Sequence, residues 1–156
     1  LTWLKSNNSK LMQDQISTVE RRDDAVFLTL TRTSTLSITT AGVIVTWQEE
    51  IDSGGNMTWS GSSITLPMSG YYMISVVGSL ASRDNFHGDL RINSVDVCSM
   101  GVGALRDVKF MHSVTRFFKA GDVVQYKATT TTGTHTLAVV TEDGAGESPI
   151  LHMVLL

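Results

Sequence analysis

The chain has 156 residues, of which 42% are hydrophobic and 17% charged, with a formal net charge of −3. That length fits one domain burying about two thirds of its unfolded surface, so neither a metal nor a disulfide is required for stability. The weak acidity leaves no basic footprint and excludes nucleic acid and anionic membrane as expected partners.

Residues 1 to 24 are polar, poor in glycine and rich in helix-tolerant residues. Leu4 and Leu11 stand seven apart, and Ile16 and Val19 prolong an imperfect apolar stripe. Two readings stay open: a short helical stalk, or an extended arm docked on a neighbour through Trp3 and Leu4. Either way Trp3, Leu4 and Leu11 are the expected anchors, and 1–24 is set apart from a domain at 25–156.

From Ala25 the pattern changes to period two. In "AVFLTLTRTSTLSI" Val26, Leu28 and Leu30 share one face, with Phe27 and Thr29 on the other, which indicates one or two strands. "VIVTWQEE" reads as a strand and "DSGGN" as the turn after it. "SSITL" is a short strand stopped by Pro67, and "GYYMISVVGSL" a longer one launched by Gly70. Further strands are expected in "GDLRINSVDVC", "KFMHSVTRFFKA", "DVVQYKATT", "THTLAVVTE" and "ILHMVLL". About eight to ten strands with turns every 8 to 12 residues imply an all-β sandwich or barrel, with two antiparallel sheets favoured. Without crossover helices the sheets must be antiparallel, as in a jelly roll or an immunoglobulin-like sandwich.

In order and spacing, the segments from Val43 to Leu156 resemble the globular head of complement C-one-q and its tumour necrosis factor-like relatives. "VIVTWQEEIDSGGNMTWSGSSITLPMSGYYMIS" follows that family's progression of strand, Gly/Asn turn, short strand, Pro, then Gly-Tyr-Tyr, with Pro67, Gly70, Tyr71 and Tyr72 its most specific part. "FFKAGDVVQYKA" and "SPILHMVLL" resemble its later strands. Met73 stands where an aromatic is usual, and Ile150 to Met153 replace the usual Phe and Gly of the closing strand. The resemblance implies a two-sheet jelly roll that forms a homotrimer. With no collagen-like stalk at hand, the expected setting is a virus or bacteriophage particle: a capsid decoration, head fibre or tail-fibre tip. There the N-terminal segment holds a capsid or fibre protein, and the loops meet a host-surface protein or glycan. The alternative is a secreted C-one-q-like ligand or pattern-recognition head, and a jelly-roll enzyme ranks last.

Neighbours on a strand face opposite ways, so Tyr71 and Tyr72 cannot both enter one core. From this and from a closing strand apolar on both faces, the expected subunit contact comprises Tyr71, Tyr72, Ile74, Val76, Leu151, Met153 and Leu155. Trp59, in the polar loop "SGGNMTWSGSS", is either an exposed contact or a lid on the sandwich end, and with Asn56 it forms the expected ligand contact. His87, His112, His135 and His152 show no metal-ligand spacing, although a threefold axis turns one histidine into three. The carboxylates of 22–24, 49–52 and 142–147 follow no calcium-loop pattern, and no metal or cofactor is expected. There is no nucleophile elbow, P-loop or dinucleotide fingerprint, and Cys98 reads as a small core hydrophobe, so no catalytic residue is assigned.

Overall fold

A computed structural model describes residues 25–80, 86–103, 109–137 and 148–156. The arm, with Trp3, Leu4 and Leu11, lies outside the described residues. Among the described residues all regular structure is β and every strand pair is antiparallel. The strands are β1 (Phe27–Thr31), β2 (Leu36–Thr39), β3 (Val43–Ile44), β4 (Glu49–Gly54), β5 (Thr58–Ser60), β6 (Ser63–Thr65), β7 (Gly70–Ser79), β8 (Phe86–Ile92), β9 (Val95–Gly103), β10 (Lys109–Phe118), β11 (Val123–Thr130), β12 (Thr134–Leu137) and β13 (Ile150–Leu155).

Two main sheets stack. The first runs β10-β7-β13-β1-β4 and the second β5-β6-β11-β8-β9, with β3 also on β11 and a small β12-β2 pair beside them. The alternation read from the sequence places Val26, Leu28 and Leu30 in the core. They meet Tyr72, Ile74, Val76, Leu151 and Met153 of the first sheet and Ile64, Phe86, Leu90, Val124, Tyr126 and Ala128 of the second. Each fully buried aliphatic side chain of this kind contributes about 1.5–3 kcal/mol.

Three expectations about local structure are corrected. "VIVTWQEE" is not one strand, because it switches sheets. Val45 donates its N–H to Tyr126 and Trp47 to Gly61, on the second sheet's side, and then Gln48 donates to Thr31 of β1, all at 2.9 Å. The turn expected at "DSGGN" is displaced, since β4 runs through Gly54, and the chain reverses at Gly55 and Asn56, whose φ angles are +65° and +58°. "GDLRINSVDVC" is a hairpin, β8 and β9, turned at Asn93 and Ser94 with φ of +51° and +69°. That turn is fixed from outside: Asn93 donates its amide N–H to the Asp122 carboxylate and accepts from the Val123 N–H, both at 2.9 Å.

One polar pair spans the two sheets inside the core. His112 of β10 and Tyr126 of β11 lie 2.7 Å apart, Nδ1 to hydroxyl, and the imidazole stacks on Phe86 at 5.1 Å between ring centres and 17° between planes. Gly88 of β8 makes room for them, since a Cβ there meets His112 Nδ1 and the Tyr126 hydroxyl. His112 Nε2 is buried with no hydrogen-bond partner among the described residues. Burial, reinforced by the nearby His87, pulls His112 down from 6.5 to about 4.

The unfolded chain therefore takes up this proton first as pH falls. The stabilisation tied to neutral His112 is complete above pH 6.5 and is lost on the way down to about pH 4. Urea midpoints measured across that window should fall with acid, and fall less in a His112→Phe variant that keeps the ring stack. Equal slopes in the two proteins would assign the acid sensitivity to other groups.

Candidate functional site: an apolar outer sheet face

The two sheets present different outer faces. On the second, the outward positions of β8 and β11 carry His87, Asp89, Arg91, Gln125, Lys127 and Thr129, paired across the strands. Asp96 of β9 joins them, holding Arg91 Nε at 2.7 Å and Lys127 Nζ at 2.8 Å. The hydrogen bond from Lys127 holds the Asp96 carboxyl below its usual range, with help from Arg91. This is a polar, half-buried face laced by ion pairs.

On the first sheet the outward positions divide between polar residues and large apolar ones. Directly paired residues share a face, so the register gives four rows across it. Met111, Val77, Ile150, Thr31 and Glu49 form one. Ser113, Ser75, His152, Thr29 and Asp52 form the next, and Thr115, Met73, Val154 and Phe27 the third. Phe117 and Tyr71 close the face as an edge-to-face pair with ring centres 5.4 Å apart. Met111 is 72% exposed, Tyr71 60% and Phe117 49%. Large apolar side chains facing water on either side of a polar row make this face the candidate contact surface.

This geometry separates the residues expected at a subunit contact. Tyr71 lies on the outer face. Tyr72, Ile74, Val76, Leu151 and Met153 do not, because each is at most 1% exposed inside this chain's own sandwich. Tyr72 turns inward, donates its hydroxyl to the Met68 carbonyl at 3.0 Å and packs edge-on to Phe118. Those five are corrected from interface to core. Leu155 is half-buried, paired with inward Tyr72 and packed on the core. Sequence reasoning missed Met73, Met111 and Phe117. The signal was present in "FF" at 117–118, a doublet like "YY" at 71–72, with one ring of each doublet meeting one of the other on either side of the sheet.

The expected ligand contact also divides. Trp59 is not in a loop but on β5, paired with Ile64 of β6. It packs against the core and donates its indole N–H to Glu50 at 2.8 Å, so it is the lid of the two readings. Ser53 and then Trp59, by hydrogen bonding, hold the Glu50 carboxyl below its usual range. Asn56 stays exposed at its turn. Cys98 is half-buried against the core. His87 and His135 are half-buried, on β8 and β12. Among the described residues no three His, Cys, Asp or Glu side chains gather as a metal site.

Replacing Tyr72 by Ala should cost about 3–5 kcal/mol in chemical denaturation, as for other large buried aromatics. Tyr71→Ala, at protein concentrations low enough to keep the chains apart, should cost less than about 1 kcal/mol. Similar losses from both would mean that the inward and outward assignments are wrong.

No family model and no curated protein sequence matches this chain. Solved structures do. Murine APRIL at pH 8.0 aligns with a TM-score of 0.58 at 13% identity, over 85% of this chain and 99% of that one. The globular domain of zebrafish complement 1qA protein gives 0.58 at 15%, over 85% and 97%. Eiger TNF from S. frugiperda gives 0.56 at 16%, over 85% and 93%. At such identities the likeness speaks for architecture, and the architecture is the antiparallel two-sheet jelly roll of the tumour necrosis factor and complement C-one-q type.

Proposed function

We propose that this chain is a non-enzymatic binding module that works as a homotrimer, its subunits joined through the outer face of the first sheet. One observation carries the reading: that face holds the large apolar side chains Tyr71, Met73, Met111 and Phe117 exposed in a single chain, while the outward positions of the opposite sheet are polar and charged. The jelly-roll likeness supports three copies, because the fold it resembles trimerises about a threefold axis. Tyr71, Met73, Met111 and Phe117 are the residues proposed to be covered by the neighbouring copy. Loops at the ends of the sandwich, including the turn at Asn56, are then left to meet a protein or glycan.

Two settings suit such a module. In one it is a knob on a virus or phage particle, held to a capsid or fibre protein by residues 1–24, whose composition differs from the rest of the chain. In the other it is a secreted ligand or recognition head, a setting favoured by the likeness to APRIL, Eiger TNF and a complement head. A chain lacking 1–24 should still fold and trimerise in either setting. On a particle it should no longer attach, and attachment that survived the deletion would remove the anchoring role.

Light scattering at micromolar concentration should return three times the 17.0 kDa of the chain. Met111→Glu or Tyr71→Glu places a carboxylate in the proposed contact and should yield folded single chains. A stable wild-type monomer at that concentration overturns the assembly. So does a trimer indifferent to both substitutions.

A further inference from the structure

The outer face is not uniformly apolar. Its second row, Ser113, Ser75, His152, Thr29 and Asp52, is polar and lies between the row of Met111, Val77 and Ile150 and the row of Met73, Val154 and Phe27. His152 sits on β13, the middle strand of this sheet, half-buried, with Nδ1 2.9 Å from the Thr29 hydroxyl. The imidazole is thus held in one orientation by its own chain, among side chains that a second copy would cover.

We propose that His152 makes the subunit contact proton-sensitive, with the assembled state requiring the neutral imidazole and acid driving the copies apart. This rests on the assembly reading above. A covering subunit removes water from the ring, and desolvation disfavours the charged form. Among the described residues no charged side chain is a direct register neighbour of His152. On β7 the register neighbour is Ser75 and on β1 it is Thr29. The titratable and charged groups on the described part of the face are farther off: Asp52 beyond Thr29 and Glu49 on β4, Tyr71 at the start of β7, and Lys109 at the start of β10. Behind the sheet His112 faces the core. Imidazoles change charge between about pH 5 and 8, so the device acts in a biologically common range.

The sign follows from linkage. If each chain must shed one proton to assemble, acid weakens association by up to about tenfold per chain for each pH unit, and by up to about a thousandfold for three chains. Sedimentation of the full chain at about pH 7.5 and about pH 5.5 reads this directly, with tryptophan fluorescence reporting whether each chain stays folded. The wild type should be trimeric at the higher pH, with its half-dissociation concentration at least about tenfold higher at the lower one. His152→Gln, which keeps a hydrogen-bonding group but no titration, should be trimeric at both; His152→Asn serves if the Gln variant does not fold. Both variants retain His112, so acid loosening shared equally by wild type and variant overturns the proposal by assigning it to the core. Acid-strengthened or pH-independent assembly of the wild type overturns it too and leaves the assembly reading standing. A wild-type monomer at the higher pH overturns both.

Discussion

The two faces of the first sheet depend on strand alternation at one place. β7 carries Tyr71 and Tyr72 side by side, and a pleated strand must send them to opposite faces. Its neighbour β10 answers with Phe117 and Phe118. The sheet therefore has an aromatic pair on each side: Tyr72 with Phe118 inside at 5.8 Å, Tyr71 with Phe117 outside at 5.4 Å. The inner pair repays its ordering through burial in the sandwich. The outer pair gains only the ring contact while it faces water, and a residue of that size reaches its full stabilisation only when covered. A slip of one residue in the β7–β10 register would exchange the two sets, so the same pairing fixes both the core and the contact face.

The core accepts a cost near the same strands. His112 of β10 pairs with Tyr126 across the sandwich, and Gly88 gives up its side chain to admit them. A Leu at 112 would pack without leaving a ring nitrogen unpaired. What the polar pair adds is direction: the hydrogen bond joins one point on β10 to one point on β11, whereas aliphatic contacts between sheets tolerate sliding. Fixing the two sheets against each other also fixes where the outer face lies relative to the loops at the sandwich ends.

How much of this was legible in the sequence varied with the physics involved. Period-two alternation located Val26, Leu28 and Leu30 correctly, and an antiparallel all-β sandwich followed from strand spacing without helices; the choice of jelly roll over an immunoglobulin-like sandwich came from the resemblance in segment order. Turn position was harder, because both "GG" and "GN" can reverse a chain, and only pairing of Gly54 with Phe27 decides between them. The sheet switch within "VIVTWQEE" was not legible, since alternate burial of Val45 and Trp47 persists while the hydrogen-bond partner changes. At the candidate site the doublet Tyr71-Tyr72 announced two faces but not their assignment. Phase is set by neighbours: Tyr72 is inward because Ile74 and Val76 are, and Met153 and Leu151 oppose them. The residues first placed at a contact were chosen for being apolar, and apolar residues on the inward phase are simply core.

Whether an apolar face leads to one specific assembly or to unselective sticking depends on what interrupts it. A uniform patch is satisfied by any apolar partner in many orientations. On this sheet a polar row crosses the patch through Ser75, His152 and Thr29, and a partner must either match it or strand it without water. Misregistered copies would lay Met111 or Phe27 over the imidazole, whereas a matching copy keeps polar against polar and apolar against apolar. The row thus reduces the affinity available from burial and restricts the orientations in which burial is favourable. An interrupted face of this kind selects geometry as well as affinity.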